Sequence, residues 1–215
     1  EDYCRRYGWL GHYNTVNQGA LYNIVHAIHA LQPQDHDVII TLDGDDWLYN
    51  SRVLSKLARY YRSGDVYLTY GQFITYPRWN IGSCRPIADS IIEHQQQRCI
   101  PWCFGHLRTF KYYLWRHIQD ADLRDSSGHY YKVTLDLAFM YPMLEMAGYH
   151  IRYIDEILYV YNKGNPLNDH AIHLAEQQAM AQIIRAQPPY ARLLQGYGIT
   201  DTSTLASKII KLGIK

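Results

Sequence analysis

Cysteine is scarce in this chain, and its scarcity argues against a disulfide-stabilised scaffold. The 215 residues contain four cysteines, Cys4, Cys84, Cys99 and Cys103, whose spacing shows no disulfide framework. We therefore expect reduced thiols, as in a cytoplasmic protein. Cys99, Cys103 and His106 could form a zinc corner, but the spacing is loose and a clear fourth ligand is missing.

Net charge and long apolar runs are equally scarce. The formal net charge of +1 predicts no general attraction to nucleic acid or to acidic membranes. No run is apolar enough to span a bilayer, and no signal peptide is visible. We therefore expect a cytoplasmic protein, either free or peripheral to a membrane, that has no transmembrane segment and binds no nucleic acid.

What the chain does contain is an apolar run that ends in three closely spaced carboxylates. Residues 38–42 are apolar and rich in β-branched side chains, which favours a short, fully buried strand. Asp43, Gly44, Asp45 and Asp46 follow as what we call the acidic turn, where Gly44 lets the backbone turn sharply. Carboxylates this close repel one another unless a cation or hydrogen-bond donors compensate them. The pattern indicates Mg²⁺ or Mn²⁺ bound together with substrate phosphates, and a solvated acidic turn is the alternative.

Strand-like and helical patterns alternate along the first third of the chain. Apolar residues recur at helical spacing over residues 20–31, and a second helix is expected over 51–61. Residues 65–76 alternate in the manner of a central strand. With a short strand at 9–13 and the buried strand at 38–42, the order is strand, helix, strand, helix, strand. This order is typical of a doubly wound α/β fold.

A long irregular loop separates this region from the rest of the chain. Residues 77–106 contain several prolines and glycines, and a loop of this length is more often functional than passive. Its Trp79 and Trp102 can stack on a sugar ring, although core packing is the commoner fate of tryptophan. After the loop, residues 106–110 are expected to form a strand or a strand–helix junction, and residues 111–118 a helix. A long helix, a strand and a further helix are expected at residues 131–146, 149–161 and 171–187.

The loop before the first long helix carries Asn17 and Gly19 at the helix N-terminus. Backbone N–H groups at such a position favour anions, which makes the loop a candidate phosphate contact. An ordinary helix cap is the alternative interpretation.

Four blocks of the chain, taken together, match a known pattern. Residues 17–20 (NQGA) are similar to an N-x-G loop, and residues 42–48 (LDGDDWL) to a DXD motif. Residues 134–136 (TLD) with 143–148 (MLEMAG) are similar to a region that holds a catalytic carboxylate, and residues 156–162 (EILYVYN) to the strand after it. In this order and spacing, the blocks resemble family 2 glycosyltransferases of the GT-A fold.

The resemblance implies an α/β fold of the GT-A type, an open and mostly parallel sheet sandwiched by helices. It covers residues 1–175, so residues 176–215 are expected to form a C-terminal helical extension. The family's first strands, which contact the nucleotide base, have no counterpart in the sequence. The chain is therefore expected to be an N-terminally truncated GT-A domain.

The resemblance also implies a reaction, the inverting transfer of a sugar from a nucleotide-diphosphate sugar to a hydroxyl of a glycan, lipid or protein acceptor. Mn²⁺ or Mg²⁺ is the implied cofactor, with Asp45 and His170 as its expected ligands. Asp136 is the expected catalytic base, because its apolar neighbours favour a partly buried carboxylate, although Leu135 stands where the family usually has an acid. The remaining donor-binding positions, as supporting ligands or nucleotide contacts, are Asn17, Gly19, Asp43, Gly44 and Asp46.

Other interpretations remain open. A haloacid dehalogenase-type phosphatase also places Asp-x-Asp after a strand, with the first Asp as nucleophile, but its other stations are not evident in this chain. A non-catalytic nucleotide- or carbohydrate-binding fragment is another possibility, and a nucleotidyltransferase would normally begin with a Gly-rich phosphate loop. His106 and Arg108 can reach the donor phosphates or the acceptor, with a plain surface arginine as the alternative for Arg108.

Overall fold

A computed structural model describes residues 2–165, 174–193 and 208–212. A six-stranded sheet with helices on both faces organises these residues, which confirms the predicted α/β class. The strands are Val38–Asp43 (β1), Trp47–Leu48 (β2), Leu68–Tyr76 (β3), Thr109–Lys111 (β4), Ile151–Asn162 (β5) and Lys208–Leu212 (β6). The α-helices are Asp2–Tyr7 (α1), Ala20–Leu31 (α2), Val53–Arg62 (α3), Asp89–Glu93 (α4), Tyr112–Trp115 (α5), Leu135–Ala147 (α6) and Leu174–Ala186 (α7).

The sheet is mixed, so the expectation of a mostly parallel sheet was wrong. The strand order is β2-β5-β3-β4-β1-β6. β4 runs antiparallel to both β1 and β3, and β2 runs antiparallel to β5. Only the pairs β3/β5 and β1/β6 are parallel within the described ranges. The physical reason is the long segment after β3, which returns the chain so that the three residues of β4 enter the sheet in the opposite direction.

β1 is buried on both faces, as its apolar sequence predicted. Successive strand side chains point to opposite faces of a sheet. Ile39 accordingly packs in the larger hydrophobic cluster, whereas Val38, Ile40 and Leu42 pack in the smaller one with α3. The acidic turn therefore emerges from a strand that is fixed by packing on both sides.

Two helices dominate the larger cluster. α2 buries Leu21, Ile24, Val25 and Ile28, the residues predicted from their helical spacing. α6 is buried on nearly its whole circumference, from residue 137 to residue 147, so it passes through the interior of the domain. Among the described helices, none is long and apolar enough to cross a membrane.

β5 contains more residues than the stretch of β3 with which it pairs. The register steps from Gly71 opposite Ile154 to Gln72 opposite Ile157, and a second shift follows between Gln72 and Phe73. These irregularities are β-bulges, which bend a strand and re-aim the side chains beyond them. They lie just before the part of β5 that reaches the acidic turn.

The C-terminal region differs from the predicted helical extension. α7 begins at Leu174 and packs against the domain through Ile184, which is fully buried, so the boundary expected at residue 175 falls within the first turn of this helix. Residues 208–212, predicted as part of a helical tail, instead form β6, parallel to β1.

Candidate active site

The acidic turn follows β1 and is tied to the end of β5. Asp46 N donates to Asp43 O at 3.1 Å, which closes the turn. Asp46 is 3% exposed, and its carboxylate accepts from Tyr159 Oη at 2.6 Å and from Asn162 N at 2.7 Å. Tyr159 Oη also accepts from Asp43 N at 3.3 Å. Asp46 therefore anchors the turn to the sheet.

Asp45 contacts the loop that follows β5. It lies beside Gly44 in the turn and is half-buried. Asn165 Nδ2 donates to Asp45 Oδ2 at 2.6 Å. Because an ionised carboxylate has about four acceptor sites, this single bond leaves capacity for a further partner.

Asp136 lies in the first turn of α6, and its side chain is 26% exposed. This partial burial agrees with the apolar neighbours seen in the sequence. Thr134, two residues earlier, has a φ of 51°. A β-branched residue rarely adopts this left-handed conformation, and backbone strain of this kind tends to cluster at functional sites.

Arg108 connects the acidic turn with α6. It is 7% exposed, so it is not the surface arginine that the sequence left open. Arg108 Nη1 lies 3.5 Å from Asp136 Oδ2, and burial raises the pKa of Asp43 while the guanidinium opposes that rise. Arg108 Nε has no hydrogen-bond partner within the described part of the chain. Arg108 is therefore a buried cation that interacts with Asp136 on α6 and with Asp43 at the end of β1.

The carboxylates of Asp43 and Asp46 in the acidic turn have raised pKa values, because they are buried and lie close to one another. Burial raises the pKa of Asp43, and the nearby carboxylates of Asp45 and Asp136 add to the rise, while Arg108 opposes it. Burial also raises the pKa of Asp46 to about 7, although bonds from Asn162 and Tyr159 act in the opposite direction. Additional positive charge at this place would stabilise the ionised forms.

His106 lies beside the acidic turn within a stack of aromatic rings. Its ring centroid is 4.4 Å from that of Tyr159, with the two ring planes nearly parallel, and 5.5 Å from that of Tyr161. Arg108 Nη2 lies 3.2 Å from His106 Nδ1 and 3.0 Å from Nε2. Burial lowers the pKa of His106 well below its usual value, and Arg108 lowers it further. The imidazole is therefore neutral, the form that can bind a metal ion.

The donor set at this place suits a divalent cation. Ligand atoms of Asp43, Asp46 and His106 all lie within 4.8 Å of one another. Two carboxylates and an imidazole are ligands that Mn²⁺ accepts. A cation bound here would lower the raised pKa values of Asp43 and Asp46. Asp45, the ligand expected from the sequence, is next to this group but is not part of it. The zinc corner of Cys99, Cys103 and His106 is not formed among the described residues, because His106 belongs to the acidic group.

Of the remaining predicted site residues, Asn17 and Gly19 lie in the loop before α2, and His170 cannot be placed. Asn17 Oδ1 accepts from Gly19 N at 2.9 Å, so the N–H group proposed for an anion is already bonded. Gly19 has a φ of 86°, and a Cβ there would meet Lys132 Cγ at 3.8 Å, so this loop borders the segment that leads to α6. His170, with the rest of residues 166–173, lies outside the described residues.

The sequence named His106 and Arg108 as contacts for the donor phosphates or the acceptor, but their positions beside the acidic turn, and that of Tyr159, were not apparent. His106 and Arg108 are two residues apart just before β4, and residues 106 and 107 form a bend, so no regular strand period relates the two side chains. What the sequence could not supply was the position of β4 next to β1, which brings both residues to the acidic turn.

Comparison with known proteins adds no assignment. No protein-family model matches the chain, and no curated protein is significantly similar to it. Support for a function therefore comes from the site itself.

Proposed function

We propose that this chain is a metal-dependent glycosyltransferase domain of the GT-A type, which transfers a sugar from a nucleotide-diphosphate sugar to an acceptor hydroxyl with inversion. The observation that carries the proposal is the convergence of the acidic turn with the start of α6. Arg108 pairs with Asp136 at 3.5 Å and acts on Asp43, and Asp136 in turn raises the pKa of Asp43. Carboxylates from two elements far apart in the chain thus line one site.

Asp136 is the proposed general base. Its carboxylate accepts the proton of the acceptor hydroxyl, and the acceptor oxygen then bonds to the anomeric carbon of the donor sugar. The bond from that carbon to the diphosphate oxygen breaks, and its electron pair leaves with the diphosphate. Partial exposure of the Asp136 side chain, 26%, leaves it accessible to an acceptor while one flank packs in the protein.

The acidic turn is the proposed site for the leaving diphosphate. Asp43, Asp46 and His106 would hold Mn²⁺ or Mg²⁺, which neutralises charge on the diphosphate as a Lewis acid. Asp45 lies beside them and remains a candidate for the same role. Arg108 adds a buried positive charge between this group and Asp136, and its unpaired Nε can donate to a phosphate oxygen.

A thermal-shift screen tests donor binding. The chain would be heated with UDP-, GDP-, dTDP- and CDP-sugars, each with and without Mn²⁺. We expect a rise in Tm with one nucleotide that requires Mn²⁺ and is lost in Asp43→Ala. Arg59→Ala, an exposed change on α3, is the matched control and should retain the shift. Absence of any metal-dependent shift would count against the proposal.

Substitution of the proposed base separates binding from chemistry. We expect Asp136→Asn to lower the rate of sugar transfer by at least a hundredfold, the usual size of a general-base contribution, and to leave the donor-induced Tm shift nearly intact. Transfer would be followed as release of the nucleoside diphosphate. Full turnover in this variant would place the base elsewhere.

The phosphatase alternative is separable with the same protein. A haloacid dehalogenase-type enzyme would hydrolyse a generic aryl phosphate through Asp43 as nucleophile, without any nucleotide sugar. We expect no such hydrolysis. Aryl phosphate turnover that is abolished in Asp43→Asn would replace the glycosyltransferase proposal.

A further inference from the structure

Three exposed aromatic rings form a group that includes Trp47, the residue directly after the acidic turn. Trp47, Tyr76 and Trp79 are 39%, 41% and 53% exposed. The ring of Tyr76 is 5.6 Å from that of Trp47, at 63°, and 5.6 Å from that of Trp79, at 81°. These T-shaped contacts hold the rings together, while a large part of each side chain stays exposed to solvent. We call these three residues the ring cluster.

The hairpin that carries two of these rings is tightly built. Thr75 N donates to Asn80 O at 2.8 Å, Asn80 N donates to Thr75 Oγ1 at 3.2 Å, and Trp79 N donates to Thr75 O at 2.5 Å. Trp79 has a φ of 57°, a left-handed conformation that is uncommon for a bulky side chain. The exposed ring is thus held in place at a conformational cost, although packing in a core does not require it there.

A short loop after β5 joins the ring cluster to the acidic turn. Asn162 N donates to Asp46, and the next residue, Lys163, donates through N to Tyr76 O at 2.9 Å. Asn165 Nδ2 then donates to Asp45. Within residues 162–165, Asn162 and Asn165 therefore contact the acidic turn, and Lys163 contacts the hairpin. The rings and the carboxylates keep a fixed relation to each other.

We propose that the ring cluster is a stacking site for a saccharide, and that it holds the acceptor glycan of the transfer reaction. Indole and phenol rings offer flat apolar faces with a polar edge, which match the C–H face and the hydroxyl rim of a pyranose. The occupant is therefore a glycan chain, rather than a lipid or a protein. Saccharide binding at the rings stands on its own, whereas the role as acceptor rests on the proposed glycosyltransferase function.

The test measures saccharide binding without metal or nucleotide sugar. Cellohexaose, maltohexaose and chitohexaose would be titrated into ¹⁵N-labelled protein while the indole N–H signals are followed. We expect one of these saccharides to shift the signals of Trp47 and Trp79, and the signal of Trp9 to stay in place. We expect Trp79→Gly to weaken that binding at least tenfold. Its Tm should equal or exceed that of the parent, because glycine accepts a positive φ.

The matched control is Trp9→Gly. Trp9 is 55% exposed and also contacts another ring, that of Tyr7, but it lies outside the ring cluster. This variant should bind the saccharide as the parent does. Equal binding by both glycine variants, or no shift with any of the three saccharides, would overturn the stacking site. A clear fall in Tm with binding retained would assign Trp79 to packing and overturn it as well.

The acceptor role has a separate outcome. If the protein transfers sugar, Trp79→Gly should raise KM for the bound hexasaccharide at least tenfold and leave the rate of donor hydrolysis by water unchanged. An unchanged KM would overturn the acceptor role while the binding result stands. Binding without any transfer would remove the proposed function and leave the stacking site.

Discussion

At the scale of single residues, compensation of charge decides how the candidate site is built. The acidic turn places its carboxylates in a partly buried position, and Arg108 is the cation that compensates them from the side of β4. The carboxylates were recognisable in the sequence because Asp43, Asp45 and Asp46 follow a run that reads clearly as a buried strand. Arg108 and His106 were not assigned to them, because their position depends on a pairing between distant strands.

Removal of Arg108 tests this compensation. We expect Arg108→Met to lower the free energy of unfolding by about 2 kcal/mol, less than for a fully buried pair, because Asp136 is partly exposed to water. Urea denaturation would measure it. The double variant Arg108→Met/Asp136→Asn should recover part of the loss, since the carboxylate left without its cation is then neutral. A matched exposed change, Arg59→Met, should stay within about 0.5 kcal/mol of the parent.

Lys111 on β4 makes stability depend on pH in the alkaline range. It is 3% exposed, donates to Gly64 O at 2.9 Å, and burial lowers its pKa to about 8. In the unfolded chain the pKa is about 10.5, so between these values the unfolded state binds the proton that the folded state has released. Protons bound mainly by the unfolded state make the free energy of unfolding rise with pH.

We therefore expect the parent to gain about 1–2 kcal/mol over Lys111→Met between pH 8 and pH 9.5. The comparison of the two proteins cancels the titration of tyrosines and cysteines that both share. Denaturation curves at several pH values would measure the difference. A difference between the proteins that stays constant across this range would contradict the lowered pKa.

At the scale of elements, segments with strong local patterns were predictable, and the shortest strand, β2, was not. α2 was predicted with its observed limits, and β1 to within one residue, because each has a clear apolar period or run. β4, Thr109–Lys111, overlaps the strand or strand–helix junction predicted at residues 106–110, whereas β2 has only two residues, too few for any period to show. Residues 208–212 (KIIKL) are too short a stretch for their sequence pattern to separate a strand from a helix. Its position beside β1 decided the outcome.

The interior helix α6 is held by a buried ion pair at its C-terminal half. Arg98 Nε and Nη2 donate to the two carboxylate oxygens of Glu145 at 2.6 and 3.0 Å, and Arg98 Nη1 donates to Ile184 O of α7. Tyr190 N also donates to Glu145. The pair thus connects α6, α7 and the segment after α4, and it lies far along the helix from Asp136.

We expect Glu145→Gln to lower the free energy of unfolding by about 3 kcal/mol, because it leaves the buried guanidinium of Arg98 without a counter-ion. Replacement of both partners, Arg98→Met with Glu145→Leu, should recover at least half of that loss, since neither charge is then buried alone. Chemical denaturation of the three proteins would measure this. A double variant less stable than Glu145→Gln would show that the other hydrogen bonds of Arg98 dominate.

At the scale of the whole molecule, the sheet separates two hydrophobic clusters of unequal size. We expect the segments that border these clusters to resist local unfolding more than the exposed segments do. β3 and α6 border the larger cluster. Residues 9–18, in contrast, are exposed along their whole length. The α/β class was predictable because it follows from the order of elements. The direction of β4 was not, because an irregular segment of this length places no limit on how the chain returns.

Hydrogen exchange should show this contrast. We expect amides of residues 10–18 to exchange orders of magnitude faster than those of β3, because local opening of an exposed loop costs almost nothing. Mass spectrometry of peptides from the two segments would measure it. Similar protection of both segments would mean that residues 10–18 are covered in solution.

The bulges in β5 have a consequence for how such a protein can diversify. On one side of them the strand is locked into the interior, and on the other side Tyr159 and Tyr161 stack on His106. Residues 155 and 156 have no partner on β3 and lie between these two halves of the strand. Gain or loss of a residue there would reshape the cleft while the interior keeps its register. Natural variation in chain length should therefore be tolerated at this point of the strand. It should be selected against within β1, where residues 38–42 are all buried and pack on alternating faces of the sheet.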